Sequence, residues 1–336
     1  VAEQLNKLVD TLSDAPSNQF PPTWRQTLEE LGADELLGDA LAERIKEVFA
    51  RNQITTAVAQ QEIQQIHKQL AAFETTIDQL RAGFDALNIG AEELAPGAAE
   101  LGVLIPRDFV HNKLDAFAEE LQELNDIFGV FAEVATGSRP GFSIDSVSSS
   151  DLSVFLGLKP GIAACIAIAV ERVVALYKQL LEIRKLHGEL RKQGVSDSNL
   201  KGVEDHANSF MDEGIEAMCT HILNDFYKNN DDARRNELSI ELRYSMQKIA
   251  NRIDRGFNIE VRVEPASQAD ADAATPDDIR YAEIIKSAAP TLQFLKREGD
   301  PILSLPEAQD EADTDAKHTE KDEGEKETRR RAGKKK

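Results

Sequence analysis

The chain is poor in the residues that mark small secreted proteins. Its 336 residues include two cysteines, Cys165 and Cys219. One lies in a very apolar stretch and the other on an expected helix, so no disulfide framework arises and a reducing, cytoplasmic setting is expected. Val1 to Asp14 lacks a basic segment followed by an apolar run and does not read as a signal peptide. Glycine (19), proline (12) and aromatics (6%) are all sparse, while hydrophobic residues reach 41%. That balance excludes collagen-like and low-complexity chains and points to a globular, mostly helical body. At this length roughly three-quarters of the unfolded surface can be buried, so neither disulfide nor metal is needed for folding.

Positive charge is also short. There are 39 basic against 60 acidic side chains, a net of −21. Residues 307–336 hold ten acids and nine bases, so the preceding part carries about −20. An acidic body repels phosphates over its whole extent, which disfavours nucleic acid as a partner except through one local arm. That arm is Arg329, Arg330, Arg331, Lys334, Lys335 and Lys336, at the end of a tail whose composition reads as disordered from about residue 306.

Catalytic and cofactor signatures are missing. The phosphate loops GxxxxGKS/T and GxGxxG, the HExxH zinc motif, paired CxxC and the DxDxDG calcium loop do not occur. Asp205, His206, Asp212, Glu213, Cys219 and His221 are of metal-binding type, but helical geometry turns residues 219 and 221 about 200° apart and sets His206 about four turns away. Ser148-Ser149-Ser150-Asp151 has no histidine implied beside it and reads as a polar turn. The acidic pairs Glu92-Glu93, Glu119-Glu120 and Asp231-Asp232 read as solvated faces. The expectation is a protein without catalytic residue, cofactor or metal, acting non-enzymatically.

By its charge-free length, the apolar stretch is expected to fall short of a bilayer span. Within the apolar stretch Leu152 to Leu181 the longest charge-free piece is Pro160 to Val170, whereas a span needs about 20 residues. A buried helix is expected, and a membrane-associated role for Val154 to Leu181 is the second reading.

What the chain does have is helical periodicity. Ile63, Ile66, Leu70, Phe73, Ile77, Leu80, Phe84 and Leu87 are spaced alternately 3 and 4, a heptad seam with polar residues between. After the Gly90–Gly102 loop, Val110, Leu114, Phe117, Leu121, Leu124, Phe128, Phe131 and Ala135 form a second seam on a helix that Asp108 is expected to cap. Each seam is about 37–39 Å long at 1.5 Å per residue, so the two can pair as an antiparallel helical hairpin. A broader stripe from Ile162 to Leu190, including His187, predicts a helix central to the core. Met211, Met218, Cys219, Phe210, Ile215, Ile222 and Phe226 form the apolar face of a helix at about 199–228, capped by Asp197 or Ser198, and expected to pack on that central helix.

Further helices are expected at about 233–255 and 276–289, the latter opened by Thr275-Pro276-Asp277-Asp278 and ended by Pro290. In the N-terminal 52 residues, Thr23 and Gln26 have capping-box spacing, and Asp34 is placed to cap a helix bearing Leu37, Leu41, Ile45 and Val48. Strands are expected at Leu101–Ile105, Phe142–Ile144, Leu152–Leu156 and Phe257–Val263, the last with one wet face.

The expected architecture is mainly α with a small sheet of three or four strands on a central apolar helix, an α+β fold. Short helices fill residues 1–52, the heptad helix and its loop 53–100, the body 101–305 and the tail 306–336. Apolar a and d positions must be covered by another helix, so the functional expectation is an interaction or scaffold protein, self-associating or binding a protein partner through Ile66, Leu70, Phe73, Ile77, Leu80, Phe84, Leu114, Phe117, Leu121, Leu124 and Phe128. An enzyme or nucleic-acid binder with a site assembled from distant residues is the remaining alternative.

Overall fold

The computed structural model describes residues 2–52, 55–86, 94–95, 97–148, 152–264, 275–292, 295 and 297–306. Leu87, Glu92-Glu93, Ser149-Ser150-Asp151 and the tail with its basic arm lie outside them. Among the described residues are nine helices and four strands. The helices are α1 (Ala2–Ser13), α2 (Pro22–Glu30), α3 (Gly38–Arg51), α4 (Thr56–Ala86), α5 (Leu114–Thr136), α6 (Pro160–Lys192), α7 (Asp197–Phe226), α8 (Asp232–Asp254) and α9 (Pro276–Ala288). The strands are β1 (Ala99–Ile105), β2 (Ser143–Ser148), β3 (Leu152–Leu158) and β4 (Asn258–Val263).

The strands form one antiparallel sheet in the order β2-β3-β1-β4. Alternation sends Leu101, Val103 and Ile105 of β1 to the same face as Val154 of β3 and Ile259 and Val261 of β4, all buried. The opposite face was expected to be wet and is not. Glu100 and Glu260 are buried on it. Glu100 accepts from its cross-strand neighbour Arg262 at 2.6 Å, and Glu260 accepts from the backbone N–H of Thr23 at 3.0 Å and from its hydroxyl. Between them sits Gly102, where a Cβ would lie 2.9 Å from both Glu260 and Phe155.

This arrangement corrects the expected capping box at Thr23. The helix begins one residue earlier, at Pro22, without a side-chain cap, because the Thr23 hydroxyl serves Glu260 of β4. Three other helix starts also differ from expectation. Asp34 lies in a short 3-10 turn and α3 starts at Gly38, where Asn18 Oδ1 accepts the N–H of Asp39 at 2.8 Å. Asp108 does not cap α5, because His111 (φ 51°) and Asn112 (φ 52°) take left-handed conformations that end the preceding turn. Helix α5 therefore starts at Leu114, whose side chain is 81% exposed, while Val110 is buried outside the helix. Helix α7 begins at Asp197 with Ser196 as its N-cap residue, one position before the expected caps.

The last described helix starts as its sequence dictates. Thr275 accepts the N–H of Asp278 at 3.2 Å, the Asp278 carboxylate accepts the N–H of Thr275 at 3.1 Å, and Pro276 holds the first helical position. Thr275→Ala should lower stability by about 1 kcal/mol, read as a shift in the denaturant midpoint. An unchanged midpoint would mean that α9 does not depend on its cap.

Helix α6 is the centre of the body. Proline at its first position presets the backbone, and Arg191 and Lys192 in its last turn face the negative end of the helix dipole. Every residue from Ile162 to Ala167, together with Ala169, Val170, Val173 and Tyr177, is at most 1% exposed. The small side chains of the first turns let neighbours approach closely, and α5, α7, α8, α9, β1 and β4 all pack on this helix. An antiparallel helical hairpin is present, but α6 and α7 form it: Leu176 meets Gly214, and His187 meets Glu204 further along. Met211, Ile215, Cys219, Ile222 and Phe226 supply the buried stripe of α7.

The pairing expected between the two heptad seams is not formed. The face of α5 carrying Leu124, Phe128 and Phe131 is buried in the main core against α6 and α8. Buried ion pairs fix the second contact. Glu120 is 5% exposed and accepts from Arg252 of α8 at 2.6 and 3.0 Å, and Glu123 accepts from Lys248 at 3.0 Å. Glu120 is thus not part of a solvated acidic pair. Asp231 and Asp232 are exposed, as expected, and Asp231 also caps α8 by accepting the N–H of Arg234 at 3.0 Å.

The described chain ends in a strap, residues 299–305, laid over α6, α7 and α8 and held by side chains that read its backbone. Asp254 Oδ2 accepts the N–H groups of Ile302 and Leu303, each at 2.7 Å. Asn208 Oδ1 accepts the N–H of Ser304 at 2.8 Å. Asn251 accepts the N–H of Leu305 at 3.0 Å and donates to its carbonyl at 3.1 Å. Arg184 donates twice to the carbonyl of Gly299, at 2.7 and 3.2 Å. Ile302, Leu303 and Leu305 are buried beneath.

Candidate functional site

Helix α4 is where the sequence pattern and the packing part company. Its 31 residues carry an unbroken heptad register, and among the described residues only the first half, up to Gln69, bonds to the other N-terminal helices. There Leu41, Ile45 and Val48 of α3 close a small core with Ala59 and Ile66, and Leu5, Leu12, Phe49 and Ile63 pack around it. Arg51 and Asn52 hold Glu62 at 3.3 and 3.1 Å, and Arg44 donates to Gln69 at 2.8 Å. Beyond Gln69, the α4 side chains make no hydrogen bond or ion pair to another element among the described residues. Thr75 and Thr76 bond only to carbonyls one turn back.

The seam continues after those contacts stop. Leu70 and Phe73 are half-buried, and Ile77, Leu80 and Phe84 are 39%, 46% and 51% exposed. Residues 67–86 extend about 30 Å at 1.5 Å per residue. The stripe is therefore an uncovered a/d face, bordered by Glu74 and Arg81 on one side and by Gln69 and Thr76 on the other. A stripe of this kind is one that a second helix can cover.

The other expected seam residues are absorbed. Leu124 and Phe128 lie in the main core, Phe117 and Leu121 are partly buried against it, and Leu114 stands alone at the start of α5. The structure thus brings together Ile77, Leu80 and Phe84 on one exposed face and separates them from the α5 set.

Reactive groups in the body are enclosed. Both cysteines are free and buried. Burial pushes the Cys219 thiol up to about 12 and raises that of Cys165 further, so neither supplies a thiolate near neutrality. Among the described residues no three His, Cys, Asp or Glu side chains converge on a point where a metal ion could sit. Tyr177, Arg184 and Asp254 form a buried polar cluster. The Tyr177 hydroxyl donates to Asp254 at 2.6 Å, and Arg184 Nη1 donates to Asp254 at 2.7 Å. Burial, reinforced by the Asp254 carboxylate, raises the Tyr177 phenol. This cluster is a lock beneath the strap. Tyr177 and Arg184 are seven residues apart on α6, but Asp254 lies 70 residues beyond Arg184, and only the polar breaks in the otherwise apolar stripe of α6 mark the cluster.

No family model matches the chain, and no curated protein or solved structure matches it.

Proposed function

We propose that this is a non-enzymatic, cytoplasmic interaction protein that self-associates through the second half of α4. The observation that supports the reading is the exposure of Ile77, Leu80 and Phe84 in register with a seam whose first part is already packed. Two copies crossing antiparallel between Ile77 and Leu80 place Ile77 opposite Leu80 of the other copy and Phe73 opposite Phe84, alternating a and d layers. The same alignment sets Glu74 beside Arg81 of the second copy, twice by symmetry, with no like charges opposed. A parallel pair would instead oppose Glu74 to Gln69 and Arg81 to Thr76, without ion pairs. Two free cysteines fit a reducing compartment.

The test is absolute mass by light scattering over a concentration series. The full chain should approach twice 37.1 kDa, and Leu80→Asp should return it to one copy with unchanged helicity. Glu74→Arg should weaken association and the double swap Glu74→Arg/Arg81→Glu should restore it. A concentration-independent single copy for the unsubstituted chain, or a double swap as weak as the single one, would refute the antiparallel pairing.

A further inference from the structure

The cleft that holds the strap is built in an unusual way. Residues 302–305 form neither helix nor strand, yet all four consecutive N–H groups are accepted by side chains from two different helices. Carbonyls at 299 and 305 are read by Arg184 and Asn251. An asparagine that both accepts from and donates to one residue's backbone recognises an extended peptide without regard to its side chain. Sequence is read separately, by burial of Ile302, Leu303 and Leu305 and by close packing at Gly299. Gly299 has φ +87°, and a Cβ there would sit 3.1 Å from the Arg184 carbonyl. At the rim, Arg191 pairs with Asp300 at 3.0 Å and Lys185 with Glu298 at 3.6 Å.

We propose that the cleft between α6, α7 and α8 is a peptide-recognition site for an extended Gly-Asp-Pro-Ile-Leu-Ser-Leu segment, filled by the chain's own strap and exchangeable for the same segment of a second copy. Two features favour exchange over an opening that stays empty. The strap follows every other described element, so it withdraws without breaking the connection between any two of them. An empty cleft strips Asp254, which is 0% exposed, of both amide donors on Oδ2, and a buried carboxylate so deprived is strongly disfavoured. The identical segment restores every bond by construction, which is the logic of segment swapping between copies.

The probe is a fluorescent peptide covering residues 298–307, followed by anisotropy on the full chain. Leu303→Asp releases the strap from its pocket, and this host should bind the probe at least tenfold more tightly than the unsubstituted chain does. Adding Asn251→Ala to that host should weaken probe binding at least tenfold. The Leu80→Asp chain should bind the probe as the unsubstituted chain does, which separates this site from the α4 seam. A folded Leu303→Asp chain that shows no saturable binding, or binding indifferent to Asn251→Ala, overturns the proposal. Should Leu303→Asp not fold, hydrogen exchange on the unsubstituted chain decides. The amides of 302–305 should exchange at least a hundredfold faster than those of buried α8, and equal rates would mean that the strap leaves only with global unfolding.

Discussion

Val173→Asp should yield no soluble folded protein. Val173 is 0% exposed in the middle of α6, within the core cluster formed by helices from both sides and by the sheet. A carboxylate at that point has no cation to meet, and burying it unpaired costs several kcal/mol. Total stability of a domain is about 5–15 kcal/mol, so one such group removes most or all of it. Protonation would lessen the penalty by neutralising the acid but would still leave a polar group without partners. Val173→Ala is the control, expected to lose about 2 kcal/mol through deleted methyl groups and the small cavity left behind. Leu80→Asp is the opposite control: it lies outside the α6 core, so the chain should stay soluble and unfold cooperatively, losing at most the stability that association of copies adds. Soluble yield and thermal unfolding followed by circular dichroism separate the three. A cooperative, unshifted transition for Val173→Asp would remove α6 from the centre of the fold.

The second large effect is expected at Asp254. Its carboxylate takes four hydrogen bonds, from Tyr177, Arg184, Ile302 and Leu303. Asp254→Ala leaves the Arg184 guanidinium enclosed without its counter-charge and releases the strap at two amides. Breaking one side of a buried pair costs about 3–5 kcal/mol. Tyr177→Phe removes two bonds, the one its hydroxyl donates to Asp254 and the one it accepts from Arg184 Nη1, and should cost about 2 kcal/mol. A double-mutant cycle with Arg184→Leu and Asp254→Leu should be strongly non-additive, because the second substitution removes the charge stranded by the first. Denaturant midpoints at constant slope measure each term, and simple additivity would show that the two side chains act independently.

Local signals located the elements far better than they located the partners. Helix α6 was legible because a broad apolar stripe has one physical resolution, burial. Strand β4 was legible from alternation, and α9 from a capping box whose two bonds are both local. The misreadings share a cause. The Thr23 hydroxyl has capping-box spacing, yet it meets Glu260, 237 residues away. Glu120 looked solvated beside Glu119, yet Arg252 reaches it from 132 residues away. Spacing along a helix says which residues share a face but not what the face meets. For the same reason the seam of α4 showed a shared apolar face without showing what covers it, and the strap, four bonded N–H groups in a row, carried no periodic signal at all.

Strand β1 has one more consequence, for the order in which the chain is made. It lies between β3 and β4, and β4 begins about 150 residues after β1 ends. At a synthesis rate of about 5–20 residues per second, the β4 side of β1 stays unpaired for roughly 8–30 s on the ribosome. Until β4 is made, the nascent sheet keeps an open edge at β1, the template on which strands from other chains add. Truncated products that stop before Asn258 never close it. Ribosomal stalling or proteolysis in that window should therefore yield aggregates rather than partial function, and a chaperone that shields β1 would act before α9 exists.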